Sequence, residues 1–362
     1  MNKILSLAKE LIAIPSISGN HTQATAVLEV AKQQLQNLPS ESFITNNFPS
    51  ILYSNHEKNM RKFKIILNAH LDVVPAPKAQ FNPIEKNGKL YGRGAFDMKA
   101  AAAVEILVFK ELANKLSYPL GLQLTTDEEP TGEYGTGYQI EEGVRANFII
   151  IGECNSNLQV TNESKGRKIV KISIKGKSSH SAYPWLGENV IYKMQRIINK
   201  ITKAFPEVKE ETKETTVSIT QIIINHQTDN KIPDNCTIYL DIRESPKDDQ
   251  SVINHIKNLL SEDVTIEIND KREFHFVKPD NPYITKLRQI TEAITGINRS
   301  LRFTHATSDA PFFSAVGCAA IEFGPIGNGA HHDNEWVDIK SLETYYHILK
   351  RFLLELDTIK KI

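Results

Sequence analysis

The 362-residue sequence predicts an α/β protein, a sheet with helices on its faces, into which a smaller α+β domain is inserted. Three observations predict it. Apolar runs of strand length alternate with helical patterns up to about residue 153. After about residue 160 the pattern changes to a period of two, and from about residue 281 the earlier style returns. A chain of this length also exceeds what one ordinary core holds, so two domains are expected.

The elements follow in order. Ile4, Leu5, Ala8, Leu11 and Ile12 recur at helical spacing between Lys3, Lys9 and Glu10. A turn-like Pro15-Ser16-Ile17-Ser18-Gly19-Asn20 separates that helix from a second, over about 22–35. Phe63-Lys64-Ile65-Ile66-Leu67 reads as a buried strand and ends at Asn68-Ala69-His70-Leu71-Asp72. Gly92-Arg93-Gly94-Ala95-Phe96-Asp97 leads into an Ala-rich helix over 98–116. A strand over 121–126 runs into Asp127-Glu128-Glu129-Pro130, and Phe148-Ile149-Ile150-Ile151 ends at Gly152-Glu153.

The middle block is of another kind. Residues 168–175 alternate polar and apolar, as a half-exposed antiparallel strand does, and 215–224 and 236–242 behave similarly. Helical patterns over 189–204 and 249–260 complete a small domain of one sheet and two helices. The predicted boundaries are 1–162 and 276–362 for the main domain and 163–275 for the insertion. A strand over 319–323 and a closing helix over 341–356 finish the chain, with no internal repeat.

Composition bounds the function. Hydrophobic residues make up 40% and charged residues 24%, the profile of a globular enzyme. With 43 basic and 43 acidic side chains, no excess of cations exists to neutralise phosphates, which excludes a general nucleic-acid binder. The basic stretch over 165–177 reads as a solvated strand face. Cys154, Cys236 and Cys318 are few, odd in number and far apart, so neither a disulfide framework nor a thiolate metal cluster is expected. The N-terminus lacks the continuous apolar core of a signal peptide, and no apolar run is long enough to span a membrane. A cytoplasmic protein is the expectation.

His70, Asp72, Asp97, Glu128, Glu129 and Glu153 all fall just after apolar strands or at a strand-to-helix joint. Ligands of open α/β sheets bind at the carboxyl ends of the strands. Carboxylates gathered there repel one another unless protons or cations intervene. Imidazole with several carboxylates suits zinc, and also manganese or cobalt. Residues i and i+2 of an extended chain share a side, so Asp72 can accept a hydrogen bond from the far nitrogen of a ligating His70. Each signal has a plainer reading by itself: surface residues for the His-x-Asp, an N-cap for Asp97, a solvated turn for Glu128-Glu129. As a pair, one of those glutamates can bind metal while its neighbour holds a proton.

Five motifs then stand in order: His70-Leu71-Asp72-Val73-Val74-Pro75, Gly92-Arg93-Gly94 through Asp97-Met98-Lys99, Asp127-Glu128-Glu129, Gly152-Glu153, and His331-His332-Asp333-Asn334-Glu335. They resemble the di-zinc family of acetylornithine deacetylase, succinyl-diaminopimelate desuccinylase, aminoacylase and glutamate carboxypeptidase, over nearly the whole chain. The resemblance implies a zinc-peptidase-like catalytic domain with a mixed central sheet, and an inserted domain that serves as lid and dimerisation surface. It implies two divalent metal ions, zinc first, with cobalt or manganese as alternatives, bridged by Asp97. One takes His70 and Glu153, the other Glu129 and His331. His332 is the alternative to His331 as ligand. Glu128 is then the general base, of raised pKa, and Asp72 the residue that orients His70.

In the middle domain, the segment Gly176-Lys177-Ser178-Ser179-His180-Ser181-Ala182-Tyr183-Pro184 resembles the family's second histidine segment. His180 would supply a hydrogen-bond donor to the oxyanion, from this chain or from a partner subunit of a homodimer. Asn230 and Arg243 match positions that bind the substrate's carboxylate, for which a guanidinium fork is suited. Two departures stand out: Pro311 where several relatives carry an arginine, and residues 164–168, which do not clearly reproduce a basic pair resembling a succinyl clamp. Both speak against succinyl-diaminopimelate as substrate. The implied activity is hydrolysis of an amide bond in a small N-acyl amino acid, with a metallo-carboxypeptidase or dipeptidase as the alternative. A non-catalytic binding relative would lack a ligand or Glu128, and neither is missing; a one-metal module would differ in metal stoichiometry.

Overall fold

The computed structural model of the chain describes residues 1–153, 157–224, 228–248, 251–260 and 263–357. Cys154 and the predicted helix start at Asp249 lie outside them. The chain divides into two compact units. The first comprises Met1–Asn162, Phe276–Phe303 and Ser308–Ile362; the second comprises Glu163–His275 and Thr304–Thr307.

In the first unit six strands lie side by side in the order Ser40–Thr45, Phe48–Ser54, Leu120–Thr125, Lys62–His70, Arg145–Ile151 and Ala319–Glu322. The first two pairings are antiparallel and the next three parallel, so the sheet is mixed. The parallel strands are buried on both faces, which explains their nearly continuous apolar sequences. On one face Ile65, Leu67 and Ala69 join a core with helices Asn2–Ala13, Lys99–Leu112 and Ile339–Asp357; on the other, Phe63, Ile66 and Ile149 pack with Phe43 and Phe313. Ala100, Ala101, Ala102 and Ala103 are wholly buried, and their small side chains let helix Lys99–Leu112 lie close to its neighbours.

The strands over 40–45 and 48–54 escape sequence reading because their hairpin turns on Asn46-Asn47, both with positive φ, rather than on a glycine. Helix Lys99–Leu112 is four residues shorter at its C-terminal end than its Ala-rich pattern suggests.

The second unit has a four-stranded antiparallel sheet in the order Thr216–Ile223, Asn235–Glu244, Gly166–Lys175 and Val264–Arg272. Helices Val190–Ala204 and Val252–Leu259 share one apolar core with it. The strand over 264–272 is also unpredicted: its alternation lapses into charged residues past a bulge between Ile268 and Asp270. Among the described residues no helix is long and apolar enough to cross a membrane.

Candidate metal centre and substrate residues

Three neighbouring parallel strands deliver the first group of side chains. His70 ends strand Lys62–His70, residues 127–129 follow strand Leu120–Thr125, and Glu153 follows strand Arg145–Ile151. His70 is paired with Thr125 and Asn68 with Ile151, so these strand ends form one edge of the sheet. Asp97 stands two residues ahead of helix Lys99–Leu112. His331 comes from the loop before strand Trp336–Asp338 and holds a φ of 61°, a left-handed conformation that histidine adopts more readily than most residues.

These residues gather into two groups that share Asp97. His70 Nε2 lies 3.1 Å from Asp97 Oδ1 and 3.5 Å from Glu153 Oε1. His331 Nε2 lies 3.3 Å from Asp97 Oδ2 and 3.0 Å from Glu129 Oε2. Within each group the potential ligand atoms are all within 4.8 Å of one another. One imidazole nitrogen and two carboxylate oxygens per group, with Asp97 turning one oxygen to each, is a donor set that fits a pair of zinc-type ions. His332 does not join: its Nδ1 accepts the Asn334 N–H at 3.2 Å within its own loop.

The electrostatics show how tightly the groups are coupled. Burial opposes charge on His70, yet the carboxylates of Asp72, Asp97 and Glu153 outweigh it and hold its pKa well above the usual imidazole value. His331, hydrogen-bonded to Asp97 and Glu129, is pushed up to about 10. Burial would raise Asp97, but His331 and His70 hold its carboxyl well below the usual range. Burial raises Glu129 despite His331. With both imidazoles protonated, the cluster is balanced by protons; divalent cations would displace them.

Asp72 sits behind His70. His70 Nδ1 is 3.1 Å from the Asp72 carbonyl oxygen and 3.4 Å from Asp72 Oδ1, so main chain and side chain both face that nitrogen. The same carboxylate accepts the backbone N–H groups of Glu128 at 3.3 Å and Glu129 at 3.2 Å. Asp72 therefore joins the His70 loop to the Glu128-Glu129 turn. Sequence reading missed Ser18, whose hydroxyl donates to Asp72 Oδ2 at 2.7 Å. The turn over 15–18 is laced to this loop by Ser18 N to Val73 O and Val73 N to Ser16 O, each at 3.1 Å. The fully buried Lys99 donates to the carbonyls of Leu11 at 3.1 Å and Ile14 at 2.7 Å, closing the helix just before that turn. Burial depresses its pKa to about 7.

His180, Asn230 and Arg243 belong to the second unit. His180 pairs with Lys231, and the carbonyl of Asn230 accepts the Ser181 N–H at 2.9 Å, so Asn230 and His180 are neighbours. His180 Nδ1 accepts the Ala182 N–H at 3.0 Å, which leaves Nε2 to carry the proton of a neutral ring. Arg243, on strand Asn235–Glu244, is gripped by Asp241 at 2.8 and 3.2 Å. Both are on the same strand, two residues apart, and share its open face.

Comparison with known proteins places the chain among its relatives. Curated relatives include succinyl-diaminopimelate desuccinylases from Coxiella burnetii, 28% identical over 98% of this chain and 99% of the relative, and from Blochmanniella floridana, 29% identical over 98% and 100%. Among solved structures, a tripeptidase from Staphylococcus aureus superposes with a TM-score of 0.82 at 19% identity, over 99% of both chains. A dinuclear metal-binding peptidase from Bacillus subtilis gives 0.71 at 14%, again over 99% of both. The profile of peptidase family M20/M25/M40 matches residues 66–355, which take in all five motifs: the chain belongs to that family and is a hydrolase of amide bonds.

Proposed function

We propose that the protein is a two-metal deacylase that hydrolyses the amide bond of a small N-acyl amino acid. The observation that carries this reading is the pair of donor groups sharing Asp97, with His70 and Glu153 on one side and Glu129 and His331 on the other. Two divalent ions held there, zinc before cobalt or manganese, would supply Lewis-acid polarisation and a more acidic water.

The chain's own groups do the rest. Glu128, buried beside Glu129 and fixed through its backbone N–H to Asp72, takes the proton of the attacking water and passes it to the leaving amine. Asp72 holds the His70 ring in the orientation that presents Nε2 to Asp97 and Glu153. His180 offers its Nε2–H to the oxyanion of the tetrahedral intermediate, and Asn230 and Arg243 engage the substrate's carboxylate. The second unit is proposed as a lid and, in a homodimer, as the interface.

Four side chains bear on the acyl group. Of the three cations over 164–168, Lys165 donates to the Glu214 carbonyl at 2.5 Å, Lys168 is ion-paired with Glu244 on the buried face, and Arg167 lies 3.9 Å from Asp241, so all three have partners within their own unit. Pro311 is buried near the start of helix Ala310–Ala315 and offers no charge. This supports a deacylase without a dedicated succinyl clamp. A panel of N-acetyl, N-succinyl and aminoacyl amino acids, each with its free carboxylate and as the carboxamide, tests the reading. Hydrolysis of acyl amino acids, lost for the carboxamides, is expected. Turnover confined to aminoacyl substrates would make the enzyme a peptidase, and equal turnover of the carboxamides would remove the carboxylate role of Arg243.

A further inference from the structure

We propose that Glu335 is a positioning residue that locks the loop carrying Asp97 to the loop carrying His331, with Arg93 as its counter-ion. The inference rests on the two-ion reading above and assigns the spacing of its second group to a carboxylate that touches neither ion.

The geometry is specific. Glu335 and Arg93 are 1% and 2% exposed. Glu335 Oε2 accepts Arg93 Nη1 at 2.6 Å and the Gly94 N–H at 3.1 Å; Oε1 accepts the N–H groups of Phe96 at 2.8 Å and Asp97 at 3.0 Å. Four donors from residues 93–97 thus converge on one carboxylate, which is how a buried charge is tolerated. Gly94 adopts a φ of 86°, and a β-carbon there would come within 2.8 Å of the Lys99 side chain, so the loop's path depends on glycine. The main chain adds a further tie, Gly92 N to Glu335 O at 3.2 Å. Gln80 extends the brace by donating its side-chain amide to Asp333 O at 2.8 Å and Asp333 Oδ1 at 3.1 Å, while its main-chain carbonyl accepts the Arg93 backbone N–H at 3.0 Å.

One end of this brace holds the backbone of Asp97 itself; the other lies four residues after His331. His70 and Glu153, by contrast, come from strand ends and owe nothing to it. Loosening Glu335 should therefore weaken the group of Asp97, Glu129 and His331 before the group of His70, Asp97 and Glu153. In Glu335→Gln the shape is kept, but one oxygen becomes an NH2 that must face N–H donors on whichever side it is placed.

The test is equilibrium zinc binding to the full chain, followed by competition with a chromophoric chelator, alongside thermal melting and with His331→Ala as the reference for loss of the second group. Wild type is expected to bind two equivalents. Glu335→Gln is expected to weaken the second equivalent by about tenfold or more, as His331→Ala does, and the first, which shares only Asp97 with the brace, clearly less. Arg93→Lys, which keeps the charge but not the fork, should show the same asymmetry to a smaller degree, and it carries the test if Glu335→Gln fails to fold. Equal loss of both equivalents, or loss of neither, overturns the proposal. A wild type that binds fewer than two equivalents contradicts the two-ion reading itself and the proposal with it.

Discussion

The two units carry their candidate residues in opposite ways. In the first, His70 and Asp72 are fully buried and Asp97 and Glu129 nearly so, His331 alone being exposed, at 54%, and each has at least two polar or charged partners in the same cluster. In the second, His180 and Asn230 are exposed and Arg243 is half-buried, and their polar partners, a backbone N–H or a same-strand carboxylate, lie within two residues or on the adjoining strand. Burying several ionisable groups together is costly unless they neutralise one another or hold a cation. Exposed polar side chains bear no such penalty and stay available to a ligand. Perturbations in the first unit should therefore register in metal content, and those in the second in rate and substrate affinity.

Glu128→Gln, in the first unit, tests that division most severely. It should lower kcat by about 10²–10⁴-fold while two ions remain bound. Loss of an ion with the activity would make Glu128 a ligand instead of a base. His180→Ala, in the second unit, should cost about 10²–10³-fold in kcat with metal content and melting temperature unchanged. An unchanged rate would leave that histidine a surface residue, and a fall in metal content would erase the contrast between the units.

A smaller effect sharpens the comparison through pH. Near neutral pH the ion-free protein holds His70 and His331 protonated, because both pKa values are raised, that of His331 to about 10. Ligation needs the neutral rings, so zinc binding should release protons and tighten as pH rises toward 10. Calorimetry in buffers of different ionisation enthalpy should show net proton release on zinc binding. Binding without proton release would mean that the imidazoles are not the ligands.

Much of the fold was legible because its signals are local. The apolar runs ending at His70, Glu128 and Glu153 announce both the parallel strands and the edge at which their polar residues collect. The alternation over 168–175 likewise matches an antiparallel strand with one face on a core. What stayed hidden depends on distant partners. Ser18 reaches Asp72 across 54 positions and Arg93 reaches Glu335 across 242, and nothing local in either residue points to its partner. His331 was preferred to His332 only through the family's pattern of His, two residues, Asn or Asp, then Glu, since adjacent residues of a loop can face either way. It is the left-handed backbone at His331 that accompanies the approach of its ring to Asp97 and Glu129.

The central claim is that amide hydrolysis in this chain needs both groups around Asp97. Its most direct test is the hydrolysis rate of an N-acyl amino acid as zinc is returned to chelator-stripped protein. Negligible activity at the start and a rise that levels off at two equivalents per chain are expected. Full activity in the stripped protein, or a plateau at one equivalent with no response to the second, would contradict the claim.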